Sequence, residues 1–288
     1  MKSYSFAKDI KAIRQIFEMN QNAFANAVGL SRSNIIRYEQ NQITPHKSAL
    51  EKIYSYSFDN GLNINKAKEM LFQDEKGDRL LLFHGAKDEI VDQIKHNHIN
   101  DRKDFGGGFY LGESLDSAAM WVSDRANGSC YCFYFPIDNT LKSLTFKVNR
   151  EWMYAILFFR GAFEGRPLPK EIQNIIDKIN ECDYIVAPIA NNNMYETLNS
   201  FAYNLITDEQ CLHALSANNI GLQYVFKSQK ACEMLEMIDR LYLCENEKKQ
   251  YIALKRKMSN EGKNKVDLSL NKYRREGKYF DELFKKNG

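Results

Sequence analysis

Three consecutive glycines, Gly106-Gly107-Gly108, constrain the middle of this chain more than any other feature. Glycine has no Cβ, so the backbone there can adopt conformations closed to other residues and can pass close to another group. An aromatic residue, Tyr110, follows in a short apolar run. The Ser, Leu, Asp and Ala residues that follow a polar turn then predict a helix, and this helix carries Trp121 eleven residues beyond Tyr110. The stretch indicates either a glycine-rich turn with two core aromatics or a slot with aromatic walls for a planar ring.

The composition bounds the class of protein. With 288 residues the chain is long enough for two domains. It contains no apolar run of about 18 residues, so we expect no membrane-spanning segment. Its first residues are charged rather than apolar, which argues against a signal peptide. Six cysteines without a CxxC pair favour reduced thiols in a cytoplasmic protein and indicate no metal site.

The first part of the chain has the pattern of short helices joined by tight turns. Asn20 is a predicted N-cap, and Gly29 has the position of a residue that ends the helix in the left-handed region. Ser31 then caps a third helix, Arg32 to Gln40. A helix, a glycine-centred turn and a second helix that begins with polar and basic residues form a helix-turn-helix arrangement.

These positions resemble the Xre, or lambda-repressor-like, DNA-binding family. The resemblance rests on Gln21, Phe24-Ala25, Val28-Gly29-Leu30-Ser31, Ile35, Tyr38-Glu39 and Pro45. It implies that Arg32, Ser33 and Arg37 read base edges and that Gln21 contacts phosphate. The chemistry fits, because arginine presents a bidentate fork to guanine and a helix N-terminus favours phosphate. The alternative is that these arginines are only solvated on an exposed face. DNA binding by one such unit would call for a homodimer on a two-fold site.

A charged, glycine-containing segment suggests where the first domain ends. We place a helix-turn-helix DNA-binding domain at residues 1–73, a linker at 74–79, a second domain at 80–240 and a basic helical tail at 241–288. The tail is dense in Lys and Arg and predicts one or two basic amphipathic helices. These helices could pack on the body of the protein, contact nucleic acid or dock a partner.

The second domain combines predicted strands and helices, so the expected fold class is α+β. Apolar runs predict strands at Leu80–Gly85, Tyr131–Phe135, Leu144–Val148, Tyr184–Ala190 and Gln223–Lys227. A closing helix is predicted from Lys230 to Ile238. The first of these strands ends in His84-Gly85, where side chains can reach a ligand, although a lone histidine is more often structural.

This domain resembles the ADP-ribosyltransferase superfamily, and within it the branch that uses a His-Tyr-Glu set. The pieces that carry the resemblance are His84-Gly85, Asp104-Phe105-Gly106 to Tyr110, Trp121, Pro188-Ile189-Ala190 and Gln223-Tyr224-Val225-Phe226. More narrowly, the region from about Leu80 to Leu235 is similar to the family DUF3990, which is regarded as related to that superfamily. The resemblance implies a split β-sheet core with flanking helices and NAD as substrate.

The resemblance also implies a role for each matching residue. His84 would hydrogen-bond the ribose of NAD, and the Gly85 backbone would pair with the nicotinamide amide. Tyr110 and Trp121 would sandwich the nicotinamide ring. The implied NAD-binding set is His84, Gly85, Phe105, Gly106, Gly108, Tyr110 and Trp121, and the implied catalytic set is His84, Tyr110 and Gln223.

Gln223 departs from the superfamily pattern, which has a glutamate there. Glutamine can hydrogen-bond a ribose hydroxyl but supplies no negative charge to a cationic transition state. Another carboxylate such as Glu196 or Glu209 could enter the site, the enzyme could be slow and restricted to mono-ADP-ribosylation, or the domain could bind NAD without turnover. If Gln223 occupies the catalytic position, Gln223→Glu is expected to raise activity.

Together these features predict an ADP-ribosyltransferase-like effector of toxin–antitoxin or defence type with an autoregulatory DNA-binding domain. Its expected partners are DNA, NAD, a macromolecular acceptor and an antitoxin or a second copy of the chain. One alternative is a transcription regulator whose second domain senses NAD or ADP-ribose without catalysis. Another is NAD hydrolysis, with water as the acceptor.

Overall fold

The computed structural model describes residues 5–90, 94, 102–190, 192–216, 221–273 and 276–284. The helices are α1 (Phe6–Ile16), α2 (Gln21–Ala27), α3 (Arg32–Glu39), α4 (Lys47–Asp59), α5 (Ile64–Glu75), α6 (Leu115–Val122), α7 (Arg150–Phe159), α8 (Lys170–Glu181), α9 (Asn192–Ala202), α10 (Asp208–Ser216), α11 (Gln229–Glu233) and α12 (Glu245–Lys272). The strands are β1 (Leu80–Ala86), β2 (Phe109–Gly112), β3 (Ser129–Phe135), β4 (Ser143–Thr145), β5 (Tyr184–Pro188), β6 (Leu222–Phe226) and β7 (Glu236–Leu241). A short 3-10 helix covers Phe280–Phe284.

The N-terminal helices have the geometry of a helix-turn-helix. The Asn20 side chain accepts a hydrogen bond from the Ala23 amide at 2.9 Å, and the Ser31 hydroxyl accepts one from the Asn34 amide at 3.1 Å. Each residue therefore caps the helix that follows it. Gly29 has a φ of 61° and ends the region of α2 in the left-handed conformation. The predicted caps and the glycine turn are confirmed.

The chain folds into two compact units. The first contains Met1–Gln93, Ser114–Ile137 and Leu235–Leu254, and the second contains Ile94–Glu113, Asp138–Met234 and Lys255–Gly288. The N-terminal helices thus belong to the same unit as three of the strands. Each unit is held by its own apolar core.

In the first unit, β3 pairs antiparallel with β1 on one side and with β7 on the other. The β1–β3 register joins Leu80 to Phe135 and Ala86 to Ser129. Every residue of β3 is buried, as expected for a central strand. One apolar cluster fills the helix-turn-helix region and includes Tyr242, which follows β7. Folding of the helices and of the sheet is therefore coupled within this unit.

A buried ion cluster, the Lys68 cluster, lies inside the first unit and consists of Lys68, Asp9, Asp239, Tyr54 and Ser5. The Lys68 ammonium contacts the carboxylates of Asp9 and Asp239, the latter at 2.8 Å. The Tyr54 hydroxyl donates to Asp9, and the Ser5 hydroxyl donates to Asp239 at 2.9 Å. The cluster joins α1, α4 and α5 of the helical region to β7.

The surroundings of Asp9 and Lys68 shift the pKa values of both side chains. Burial raises the pKa of Asp9, although Lys68 opposes the shift. Burial by itself lowers the pKa of Lys68, but the two carboxylates outweigh it, and the pKa of the amine is raised. Because its folded-state pKa is raised, Lys68 contributes its stabilisation below its unfolded-state pKa, and this is lost as pH rises through the folded-state pKa.

The second unit contains a mixed sheet in which β4 pairs parallel with β5, and β6 pairs antiparallel with both β5 and β2. The chain passes from β4 to β5 through α7 and α8, which is the crossover that parallel neighbours require. The β2–β6 register joins Gly112 to Gln223 and Phe109 to Phe226. This pairing fixes the glycine stretch next to the strand that carries Gln223.

Helices complete the core of the second unit. Trp152 of α7 is fully buried in one large apolar cluster with residues of α8, α9 and α10. Phe280 of the short 3-10 helix is 1% exposed and contacts Phe163 and Phe201 edge-on or tilted. The C-terminal part of the chain is thereby anchored on this core.

The expected α+β class is confirmed, with N-terminal helices followed by strands and flanking helices. One predicted element is wrong. The helix expected from Lys230 to Ile238 ends at Glu233, and Glu236–Leu241 forms β7 instead. Burial alternates over the last four residues of β7, and pairing with β3 overrides the weak helical pattern. The predicted domain limits stay a prediction.

None of the helices in the described part of the chain is long and apolar enough to cross a membrane. All six cysteines lie among the described residues, and each is a buried free thiol. Burial raises the pKa of Cys182 to about 11, so this thiol stays protonated at neutral pH.

Replacing Lys68 by methionine should strongly destabilise the protein. The change leaves Asp9 and Asp239 buried without a cation, which costs about 3–5 kcal/mol of unfolding free energy. Lys66→Met is the matched control on the same helix, because Lys66 is 37% exposed and should cost about 0–1 kcal/mol. Urea denaturation followed by circular dichroism measures both variants, and equal losses would contradict a structural role for the cluster.

Candidate functional site

The residues predicted to bind NAD lie in both units. The first unit contains His84, Gly85 and Trp121, and the second contains Phe105, Gly106, Gly108, Tyr110 and Gln223. Within each unit the structure brings the members close together in space, although they come from separate parts of the chain. Sequence spacing alone does not dictate these contacts.

In the first unit, the end of β1 packs closely against α6. A Cβ added to Gly85 would lie 2.6 Å from the Ala118 carbonyl oxygen and 3.2 Å from Cδ1 of Trp121. No side chain therefore fits at position 85 while α6 holds its place. His84 precedes this glycine, pairs with Tyr131 in the β1–β3 register and is partly buried.

The Trp121 indole is unusual in its exposure. It is 62% exposed, whereas three other apolar residues of the same helix, Leu115, Ala119 and Val122, are fully buried. A large aromatic face beside bare backbone is suited to stacking on a planar ring.

In the second unit, hydrogen bonds brace the glycine stretch. The Tyr110 hydroxyl donates to the Gly106 carbonyl at 2.7 Å and accepts from the Phe105 amide at 3.2 Å. The Lys227 ammonium donates to the carbonyls of Phe105 and Gly107 at 2.6 and 2.8 Å. Burial lowers the pKa of Lys227. The loop is held from two sides and has one defined conformation.

Close packing requires glycine at two of the three consecutive positions, Gly106 and Gly108. Gly106 has a φ of 69°, and a Cβ there would lie 2.8 Å from the Phe159 ring. A Cβ on Gly108 would lie 2.8 Å from Val225 of β6. Phe105 is fully buried and stacks on Phe146 with ring centroids 5.4 Å apart. Phe105 therefore anchors the loop in the core, and its NAD-binding role stays a prediction.

A carboxylate that the sequence reasoning did not assign lies at the centre of this unit. Asp104, 6% exposed, accepts hydrogen bonds from Arg160 Nη2 at 2.9 Å, from the Tyr195 hydroxyl, and from Gln223 Nε2 at 2.9 Å. We call these four residues the Asp104 cluster. Burial, and next the charge of Asp104, raise the pKa of the Tyr195 phenol. The sequence held one signal for this role, which is an acidic residue two positions before the first of the three glycines.

The two carboxylates suggested by the sequence have other surroundings. Glu209 of α10 forms an ion pair with Arg150, and its Oε2 lies 3.8 Å from Nε2 of His213. Glu196 is exposed on α9. Asp104, not either glutamate, is the carboxylate that hydrogen-bonds Gln223.

The predicted DNA-reading face lies on α3 of the first unit. Arg32, Ser33 and Arg37 are exposed on this helix. Gln21 donates its side-chain amide to the buried Glu39 carboxylate at 2.8 Å, and that carboxylate also accepts from Arg14 at 2.8 Å. The Gln21 side chain is thereby fixed at the start of α2. The exposed face retains two arginines that an acidic ligand could reach.

Among the residues that the structure describes, no group of three or more His, Cys, Asp or Glu side chains could hold a metal ion.

These features define a protein in which a helix-turn-helix region precedes a mixed α/β domain with a braced glycine loop. Residues 80–237 match the model of the family described as "Protein of unknown function (DUF3990)". The match spans more than half of the chain, and the chain belongs to this family. The predicted similarity to DUF3990 is confirmed. No curated protein and no solved structure matches the chain.

Gly106→Ala should destabilise the second unit by more than the backbone strain that alanine experiences at a positive φ. Gly165→Ala is the matched control, because Gly165 has a φ of 74° but no atom within 4 Å of an added Cβ. The control should lose about 1–2 kcal/mol of stability from backbone strain. Gly106→Ala should lose about 1–3 kcal/mol more through overpacking against Phe159. Thermal and urea unfolding measure the difference in stability between the two variants. Equal losses would show that the Phe159 ring moves to accommodate the added methyl group.

Proposed function

We propose that this protein binds DNA through its helix-turn-helix region and that its DUF3990 domain binds NAD and transfers ADP-ribose to a macromolecular acceptor. The observation that carries the NAD proposal is the Trp121 indole, which is 62% exposed and lies next to Gly85, where β1 and α6 pack too closely for a side chain. Nicotinamide is planar and has an amide that can hydrogen-bond backbone groups. An aromatic face next to a glycine backbone offers both kinds of contact.

The chemistry of transfer explains why a stacking face would matter. Cleavage of the bond between ribose C1′ and nicotinamide passes through an oxocarbenium-like state, so the site must orient the leaving ring against the ribose. A ring held by stacking leaves along a defined direction.

Replacing Trp121 by alanine tests this proposal. Loss of stacking on a heteroaromatic ring costs about 1–3 kcal/mol, so NAD should bind about tenfold more weakly or worse. Tyr203→Ala removes another exposed aromatic, 74% exposed and outside the predicted set, and should leave the dissociation constant unchanged within about twofold. Isothermal titration with NAD compares the folded variants. A wild-type protein that binds no NAD, or a Trp121→Ala variant that binds it normally, would refute the proposal.

A second candidate is a regulator that senses NAD or ADP-ribose without turnover. Gln223 favours it, because an amide replaces the expected carboxylate and donates to both Asp104 and the Pro188 carbonyl. Incubation with NAD carrying separate labels on nicotinamide and on adenine, with cell lysate as a source of acceptors, separates the candidates. Transfer of the adenine label supports the transferase. Saturable binding with no released nicotinamide supports the sensor, and release without transfer indicates hydrolysis.

The DNA-binding part of the proposal is supported by the exposed arginines in the first and last turns of α3. A bidentate arginine–guanine contact contributes about 1–3 kcal/mol, so Arg32→Ala and Arg37→Ala should each weaken specific binding about tenfold or more. Lys178→Ala, a loss of one exposed charge on α8, is the control and should change binding by less than about twofold.

The probe for this test is the DNA segment upstream of the protein's own gene, because an effector of this kind would regulate its own synthesis. Fluorescence anisotropy at two salt concentrations measures the affinity, with a scrambled duplex of the same length as reference. Equal affinity of wild type for both duplexes would exclude sequence-specific autoregulation. Unchanged affinity of both arginine variants would remove α3 from the DNA interface.

A further inference from the structure

The amide of Gln223 is used entirely as a hydrogen-bond donor. Its Nε2 donates to Oδ2 of Asp104 at 2.9 Å and to the carbonyl oxygen of Pro188 at 3.0 Å. An amide nitrogen has two hydrogens, so both are engaged. A glutamate at this position would have no hydrogen to offer and would lie beside a second carboxylate. Position 223 therefore suits an amide, and the negative charge beside it belongs to Asp104, its hydrogen-bond partner.

The neighbouring carboxylate retains the capacity to bind a ligand. Oδ1 of Asp104 accepts from Arg160 and Tyr195, and Oδ2 accepts from Gln223. A carboxylate has about four acceptor sites, which leaves one for another donor. The side chain is 8% exposed, and a charge so shielded from water interacts strongly with a nearby positive charge.

Arg160, the cationic partner of this carboxylate, is more exposed than Asp104. Its side chain is 34% exposed, and the guanidinium lies 3.8 Å above the Tyr195 ring. The Nε atom of Arg160 is buried and has no hydrogen-bond partner among the described residues. Arg160 therefore offers a cationic donor next to Asp104, which suits a phosphate of a dinucleotide.

We propose that Asp104 is the catalytic carboxylate of the DUF3990 domain, with Gln223 as its positioning residue. This inference rests on the proposed NAD-dependent activity. Asp104 accepts a hydrogen bond from the ribose 2′-hydroxyl and balances the positive charge that develops on C1′. The C1′–N bond breaks, and its electron pair neutralises the pyridinium nitrogen of the departing nicotinamide. The acceptor's nucleophilic atom then bonds to C1′ and releases its proton to water.

This proposal leads to an expectation opposite to the one drawn from the sequence alone, in which Gln223→Glu raises activity. In the structure, that change places two carboxylates in hydrogen-bond contact and removes the donor to the Pro188 carbonyl. Gln223→Glu alone should therefore lower both stability and turnover.

The test exchanges the charge between the two positions. Asp104→Asn should release nicotinamide from NAD about a hundredfold more slowly than wild type, because the cation loses its partner. In Asp104→Asn/Gln223→Glu, the asparagine amide can donate to a carboxylate at 223, so the rate should recover at least about tenfold over Asp104→Asn. Tyr203→Phe changes an exposed side chain outside the Asp104 cluster, and should stay within about threefold of wild type.

Nicotinamide release is followed by chromatography, NAD affinity by calorimetry and folding by thermal melting. Recovery in the double variant supports the inference, since a merely structural Asp104 would not be rescued by a carboxylate on the partner residue. An active wild type with an equally active Asp104→Asn overturns it while leaving the proposed function intact. A wild type that neither binds NAD nor releases nicotinamide overturns both. Should Asp104→Asn not fold, the folded double variant decides: inactivity overturns the inference, and at least about a tenth of wild-type activity supports it.

Discussion

The buried ammonium of Lys68 is the interaction on which the first unit depends. It contacts carboxylates from the beginning of the chain, Asp9, and from β7, Asp239. Two buried negative charges would repel each other in a medium of low polarity, so the helices and the sheet can share this interior only with the cation between them. The helix-turn-helix region is consequently built into the same compact unit as β1, β3 and β7.

The second unit has a comparable node in the Asp104 cluster. Four elements converge on one carboxylate: the segment before the glycine loop, the end of α7, α9 and β6. Buried polar groups must find partners, and here each of the three donors finds the same acceptor. This convergence holds the glycine loop at a fixed distance from Gln223. It also supplies the negative charge that an amide on β6 lacks, which links the packing of this unit to the chemistry proposed for it.

Local patterns predicted much of the fold. The caps at Asn20 and Ser31 and the turn at Gly29 depend on residues within three positions, so the sequence contains the needed information. Buried strands such as β3 were also recognisable from their apolar runs. The error at β7 has a different origin. Its residues form a strand because β3 offers an unpaired edge, and no local preference encodes that partner.

The sequence by itself determined the α+β class, the helix-turn-helix geometry, the position of the glycine stretch and the DUF3990 membership, because these follow from local spacing and residue type. Only the tertiary structure decided which carboxylate lies beside Gln223, because 119 positions separate that residue from Asp104. It also decided that Lys68 lies between Asp9 and Asp239, the latter 171 positions away. Burial creates the need for these partners, and chain folding over long distances selects them.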